Sequence, residues 1–228
     1  MQIKILPIYL FFCGLGEGIH SDSLYDPTHW DRFRETFDTE GVMNLFMLIG
    51  RNPNEQEVEK GHKLIDFYAG SLDNINSNIT EENLQAMVDY FTDSSFLYSS
   101  RKTLDYLRKY GVTVYQYIFT YTGGNCAACD AGHPNLGVSH FEEVQFLWYS
   151  ESNENQNVDN HDVMELITTA WTNFAKTGNP SPPGSNFVWT PQTSNEIQYL
   201  NISGPNPIMQ SNQLIQDRME FWDIILNE

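Results

Sequence analysis

The chain has 228 residues, a formal net charge of −18 and a hydrophobic content of 40%. A chain of this size and composition can bury one substantial core, which excludes an intrinsically disordered protein. Its 30 acidic residues against 12 basic ones, without a clustered lysine or arginine stripe, argue against nucleic acid as a partner. Three cysteines are too few for a multi-disulfide scaffold.

Residues 1–16 form an apolar leader. One basic residue, Lys4, precedes the apolar stretch from Ile5 to Cys13, and glycines follow it, which is typical of a secretory signal. The stretch is too short to span a bilayer, so we expect no transmembrane span. The open alternative is a buried strand of a parallel sheet, because such strands also have continuous apolar sequences.

Helical signals follow the leader. Asn52-Pro53-Asn54 indicates a helix start, and Gly70 is placed to end that helix. Thr80 is a favourable N-cap for a second helix, whose apolar residues recur at helical spacing: Leu84, Met87, Val88 and Phe91. A third helix is predicted at about 95–110, with Gly111 as its stop.

Beyond these helices the sequence period changes. Residues 112–121 are dense in β-branched and aromatic side chains, which predicts a strand inside a sheet that is covered on both faces. Residues 159–176 predict a long amphipathic helix, residues 198–202 a short edge strand, and the last residues a further helix. This alternation indicates an α/β layered architecture, and the small number of strands indicates that strands are missing. No linker or repeat divides residues 17–228, which we interpret as one piece of a domain.

One histidine is distinguished by its position after the predicted strand. His140, in Gly137-Val-Ser-His140, lies in a loop, and the carboxylates of Glu142 and Glu143 come directly behind it. An imidazole held near a strand end and oriented by a distant acid suits a general base. Four further blocks occur in the same chain: 114–121, 166–180, 188–200 and 218–222.

Taken together and in order, these blocks resemble the type-B carboxylesterase (cholinesterase-like) family, in the style of its insect esterases, from about residue 17 to the end. The resemblance implies the C-terminal part of an α/β-hydrolase fold and the hydrolysis of small-molecule esters by a Ser–Glu–His triad. It implies His140 as the base and Glu17, in Gly16-Glu17-Gly18, as the acid that orients it. We expect no cofactor.

The chain departs from this family at the nucleophile. The G-x-S-x-G elbow does not occur in the 228 residues, nor does an HGG-type stretch for the oxyanion hole. Phe141 also stands where the family usually has a small residue. We therefore expect the C-terminal portion of a carboxylic ester hydrolase that is inactive as the sequence stands. The alternative is a secreted, non-catalytic esterase-like protein that acts in binding or adhesion.

A second set of residues has the order of metal ligands. Cys126-Ala-Ala-Cys129 with His133 and His140 suggests a zinc site, but the spacing from cysteine to histidine is short. We expect instead a small disulfide loop or two free thiols, and no metal. A redox pair is a weaker interpretation, because no helix clearly begins at Cys126.

Three smaller expectations remain. Adjacent Glu142 and Glu143 do not face each other, so we expect one to interact with the His140 loop and the other to be solvated. Asn78 and Asn201 begin glycosylation sequons, which matter if the chain is secreted. Three of the five tryptophans are expected to pack in the core or in a groove: Trp148, Trp171 and Trp222.

Overall fold

A computed structural model describes residues 54–71, 74, 80–130, 132–148, 158–193, 197–211 and 213–227. The apolar leader, Glu17 and Asn78 lie outside these described residues. In the described part, none of the helices has both the length and the apolar composition needed to cross a membrane.

The described chain contains both helices and strands, in runs rather than in strict alternation. A π-helical segment, Asp93–Leu97, and two short 3₁₀ helices, Pro134–Leu136 and Glu142–Phe146, supplement the regular elements. The regular elements are, in chain order, α1 (Glu55–Ala69), α2 (Glu81–Thr92), α3 (Tyr98–Lys109), β1 (Tyr117–Phe119), α4 (Ala127–Asp130), α5 (Val158–Thr177), β2 (Gln198–Ile202), β3 (Ile208–Ser211) and α6 (Gln213–Asn227).

Helix α1 begins and ends where the sequence predicts. The Asn54 side chain accepts a hydrogen bond from the Glu57 N–H at 3.0 Å, and the Glu57 carboxylate accepts one from the Asn54 N–H at 2.8 Å. This reciprocal capping box satisfies two N–H groups that the helix itself leaves unpaired. At the other end Gly70 has φ 73°, a left-handed conformation that glycine adopts without steric cost.

The two helices predicted at Thr80 and at about 95–110 are both present, as α2 and α3. The π-helical segment Asp93–Leu97 connects the two helices, so the helical backbone continues from residue 81 to residue 109. Asp93, the first residue of this segment, is completely buried because it faces Arg218 of α6. The ion pair between Asp93 and Arg218 therefore stabilises a helical conformation in a segment whose local sequence does not favour a helix.

The described strands form a mixed sheet in the order β1-β2-β3. β1 pairs in parallel with β2, and β2 pairs antiparallel with β3. The prediction of an edge strand at residues 198–202 is therefore wrong, because β3 covers its second edge. β3 itself was not predicted, since its four residues are half polar and too few to show alternation.

The strand predicted at 112–121 is shorter than expected but lies in the predicted environment. Paired residues are confined to 117–119, although the Val114 and Gln116 carbonyls accept hydrogen bonds from Gln192 and Leu200. Ile118 and Tyr199 pack into one core cluster with residues of α1, α2 and α6. A second core cluster packs against α5 and includes Tyr117, Phe119, Leu200 and Ile202. Coverage of the strand on both faces is confirmed.

Arg218 joins three of the helices on one face of the sheet. Its Nε and Nη2 atoms lie 2.8 and 3.0 Å from the two carboxylate oxygens of Asp93, and its Nη1 lies 2.8 Å from Asp89 of α2. The Tyr68 hydroxyl of α1 donates to Asp93 at 2.5 Å and accepts from Trp222 Nε1 at 2.7 Å. Burial raises the pKa of Asp93 to about 6, and the Arg218 charge opposes that shift.

We expect Arg218→Met to destabilise the fold by about 3–5 kcal/mol, because it leaves Asp93 buried without its positive partner. Urea unfolding at pH 7 measures the difference. The matched control is Lys63→Met, which removes an exposed pair with Glu59 at 3.4 Å and should change stability by less than about 0.5 kcal/mol. Equal effects of the two substitutions would contradict the role given to Arg218.

Candidate active site

His140 lies in the connection that leaves the carboxyl end of β1. In α/β folds, ligands bind outside this end of the parallel strands. The connection passes through α4 and the first 3₁₀ helix, then turns at His140 into the second 3₁₀ helix. Val138 is buried just before the turn and Phe146 just after it, so the half-buried His140 is held between two anchored residues.

Two aromatic rings contact the imidazole of His140. The ring centroid of Phe96, from the π-helical segment, lies 4.8 Å away, and that of Phe141 lies 3.9 Å away. Phe141 has φ 70°, which is unusual for a residue with a side chain, and its side chain is 52% exposed. The backbone thus adopts a strained conformation directly after the histidine.

Glu142 ties the histidine loop to α4. Its Oε1 accepts a hydrogen bond from the Ala127 N–H at 2.7 Å. Burial raises the pKa of the Glu142 carboxyl, while hydrogen bonds from Ala127 and from the N–H and hydroxyl of Ser139 lower it. The Glu142 carboxylate therefore bonds to the first residue of α4, while its backbone N–H donates to the Ser139 carbonyl at 3.3 Å. The expectation that one carboxylate interacts with this loop is confirmed.

A second set of hydrogen bonds joins the same two segments. The Asn125 N–H donates to Gln145 Oε1 at 2.8 Å, and Gln145 Nε2 donates to the Asn125 carbonyl at 3.1 Å. Gln145 Nε2 also donates to the Glu142 carbonyl at 2.6 Å. The start of α4 and the second 3₁₀ helix are thereby joined on both sides of Cys126.

The expectation that the other carboxylate is solvated is wrong. Glu143 is only 1% exposed, because the second 3₁₀ helix turns it inward while Glu142 faces α4. Burial raises the pKa of Glu143 to about 7, with a further contribution from the Glu142 charge. Within the described part of the chain, neither Glu143 oxygen has a hydrogen-bond partner. Burial, and after it the Glu143 charge, raises the pKa of the Tyr117 hydroxyl.

Cys126 and Cys129 form a disulfide, one of the two states predicted for them. The short helix α4 begins directly after Cys126, so the reason for discounting a redox pair is wrong. Four residues with a turn at Gly132 give too weak a local signal for a helix prediction. The alternative zinc set loses two of its four donors to the disulfide as long as that bond persists.

The remaining predicted residues have different surroundings. Asn201 lies on β2, where its Oδ1 accepts from the Thr120 hydroxyl at 2.7 Å and its Nδ2 donates to Gln210 at 3.2 Å. Trp222 is buried as expected, but Trp148 is 71% exposed, so the packing predicted for it is wrong.

Phe96 is the site residue that the sequence did not reveal, because its contact with His140 depends on the unpredicted π-helical segment.

Comparisons with known proteins agree with this architecture. The crystal structure of juvenile hormone esterase from Manduca sexta superposes with a TM-score of 0.65 at 16% identity, over 91% of this chain and 40% of that one. This likeness establishes the fold: the chain folds as part of an α/β hydrolase, with helices packed on an incomplete mixed sheet. The fold class predicted from the sequence is confirmed.

Sequence comparisons identify the family. The model of the carboxylesterase family matches residues 19–222, so the chain belongs to the carboxylesterase family, and the resemblance to type-B carboxylesterases is confirmed. Juvenile hormone esterase of Tribolium castaneum is 26% identical over 201 residues, covering 78% of this chain and 33% of that protein. Acetylcholinesterase of Bungarus fasciatus is 25% identical over 149 residues, covering 64% and 24%. The chain thus spans between about a quarter and a third of the length of these relatives.

Strain at Phe141 predicts an unusual order of stability. Phe141→Gly removes both the ring and the left-handed strain, whereas Phe141→Ala removes only the ring, so the glycine variant should be more stable by about 1 kcal/mol. Urea unfolding of both variants measures this difference. At Val188, an exposed loop position without positive φ, the same pair of substitutions should give the reverse order. The same order at both positions would contradict the strain at Phe141.

Burial of Glu143 predicts that stability falls as pH rises. Its folded pKa of about 7 lies above the ordinary 4.5, so the folded state binds the proton more tightly and loses stability from about pH 4.5 to above 7. Glu143→Gln carries no charge at either pH, and its stability relative to the wild type should rise by roughly 2 kcal/mol between pH 5 and pH 8. Urea unfolding at both values tests this. Glu165→Gln, at an exposed position of α5, should show no such change.

Proposed function

We propose that this chain is the part of a carboxylic ester hydrolase that supplies the base of a Ser–Glu–His triad. His140 is that base, and Glu17 is the acid that orients it. The observation that carries the proposal is the position of His140: a loop at the carboxyl end of β1, bridged to α4 by Glu142, in a member of the carboxylesterase family. The substrate class is small-molecule carboxylic esters.

In this mechanism the His140 imidazole removes the proton from a serine hydroxyl as the oxygen attacks the ester carbonyl. The same imidazole then returns the proton to the leaving alcohol. Glu17 accepts a hydrogen bond from the other ring nitrogen and stabilises the imidazolium that forms in between. The chain's own residues supply the proton acceptor and its orientation; the nucleophile requires a G-x-S-x-G segment that the 228 residues do not contain.

The 228-residue chain is therefore proposed to be inactive by itself. Loss of a triad nucleophile costs several orders of magnitude in rate, and each missing oxyanion-hole donor costs about 3–4 kcal/mol more. We attribute this loss of activity to the missing nucleophile and oxyanion-hole donors rather than to unfolding of the histidine loop. The hydrogen bonds that hold the loop come from residues 125–145 of the same chain.

The second candidate function is a secreted, non-catalytic esterase-like binding protein. The Cys126–Cys129 disulfide favours it, because such bonds persist in oxidising compartments and are rare in the cytosol. A cleaved leader at residues 1–16 belongs to this proposal, as do glycans at Asn78 and Asn201. The Asn201 Nδ2 that would carry a glycan donates to Gln210 in the fold, so modification there has to precede pairing of β2 with β3.

An esterase assay tests the inactivity. We expect purified 228-residue protein to hydrolyse p-nitrophenyl acetate no faster than buffer, and His140→Ala to behave identically. Hydrolysis well above buffer that His140→Ala abolishes would show that the chain contains its own nucleophile and would overturn this part of the proposal.

The assignment of His140 needs the nucleophile to be present. If the gene encodes an upstream segment with G-x-S-x-G, the extended protein should hydrolyse the ester, and His140→Ala should lower kcat at least about 1,000-fold. The matched control is His161→Ala, at an exposed histidine of α5, which should leave kcat within a factor of two. Equal effects of the two substitutions would exclude His140 as the base.

A further inference from the structure

The disulfide lies directly beside the residues that hold His140. Cys126 is buried in the core cluster with Ala128 and Leu136, and its Sγ contacts the Gly137 carbonyl oxygen at 3.9 Å. Cys129 is only half-buried, and its N–H donates to Cys126 Sγ at 3.2 Å. One sulfur is therefore sealed in the core next to the histidine loop, while the other belongs to a residue with a solvent-facing side.

A continuous path of contacts connects the disulfide to His140. Ala127 lies between the two cysteines, and its N–H donates to Glu142. The Glu142 N–H in turn donates to the carbonyl of Ser139, the residue that precedes His140, at 3.3 Å. Glu142 is partly buried, so its carboxylate depends on the Ala127 N–H for its charge to be tolerated. Each link is a direct hydrogen bond or a covalent neighbour.

We propose that Cys126–Cys129 is a thiol–disulfide exchange site whose oxidation state determines how firmly the His140 loop is held. The partner it takes is a small-molecule dithiol or a reduced dithiol protein. This proposal is independent of ester hydrolysis, because it requires neither a serine nor a substrate. In an oxidising compartment the loop is fixed, and in a reducing one it is released.

The exchange proceeds in two balanced steps. A thiolate of the dithiol attacks the Sγ of Cys129, the less buried of the two cysteines. The Cys126–Cys129 bond breaks, and Cys126 leaves as a thiolate that takes up a proton. The second thiol of the reductant then attacks the reductant sulfur that is bonded to Cys129. This closes the reductant's disulfide and releases Cys129 as a thiol. The protein disulfide gains two electrons and two protons, and the dithiol becomes a disulfide.

Reduction changes the position of Ala127 because this residue lies inside the closed ring. Two thiol sulfurs cannot stay at bonding distance, so the Cys126–Cys129 turn opens and the Ala127 N–H moves relative to Glu142. Glu142 then keeps only its contacts with Ser139 and becomes more favourable in solvent than in its pocket. The second 3₁₀ helix and His140 then lose the Glu142 tie to α4, and only the hydrogen bonds between Gln145 and Asn125 still join the two segments.

Hydrogen exchange measures this coupling without an activity assay. The protein used is the full chain with Cys13→Ser, so that the two cysteines of the site are its only thiols. After air oxidation, alkylation with iodoacetamide should add no mass, and after treatment with dithiothreitol it should add two groups to the peptide that contains both cysteines. Amides of Ala127 and of residues 139–146 should then exchange at least tenfold faster than in the oxidised protein, whereas those of α5 should not change.

Two variants separate this route from general loosening. Cys126→Ser with Cys129→Ser should show the fast exchange without any reductant. Glu142→Ala should give fast exchange at residues 139–146 in both oxidation states, while its disulfide still forms and is still reduced. The proposal is overturned by cysteines that alkylate in the air-oxidised protein, by exchange that rises less than tenfold on reduction, or by a Glu142→Ala variant whose loop still responds as the parent does.

Discussion

The buried pair between Arg218 and Asp93 is the interaction on which the rest of the described structure depends. It holds α6 to the π-helical segment, and through Tyr68 and Trp222 it extends to α1. Ion pairs of this kind add little net stability over a well-packed apolar replacement, yet they are costly to break. We interpret the pair as the contact that fixes where three helices meet on one face of the sheet.

This constraint reaches the candidate active site through the π-helical segment. Asp93 begins that segment and Phe96 follows it three residues later, with its ring against His140. A π turn adds a residue relative to an α turn, which changes the direction of every side chain that follows, and such turns occur frequently at functional sites. The orientation of Phe96 is therefore tied to Arg218, a residue more than 70 positions beyond the histidine in the chain.

The fold could be predicted from the sequence where local chemistry decides, and not where distant contacts do. The ends of α1 follow from Asn54 and Gly70, whose capping roles need no tertiary partner. The sequence gives no comparable signal for the continuity of α2 and α3, since it depends on Arg218, or for the central position of β2, since it depends on pairing with β3. His140 was found by the collinear blocks around it, whereas the opposite orientations of Glu142 and Glu143 depend on a 3₁₀ turn that sequence periodicity does not reveal.

The residues around His140 also bear on how a base can be separated from its nucleophile. The ties from Glu142 to Ala127, from Gln145 to Asn125 and from Phe96 to the imidazole all lie within residues 96–145. None of them requires a serine or an oxyanion hole, so the position of His140, the proposed base, does not depend on a nucleophile. Burial of Glu143 beside these ties leaves a carboxyl whose ionisation is costly, a feature that recurs at functional sites more often than in ordinary cores. The loop that carries the proposed base is therefore held by its own contacts. The inactivity that we propose would follow from the absence of a G-x-S-x-G segment in the 228 residues and not from a disordered loop.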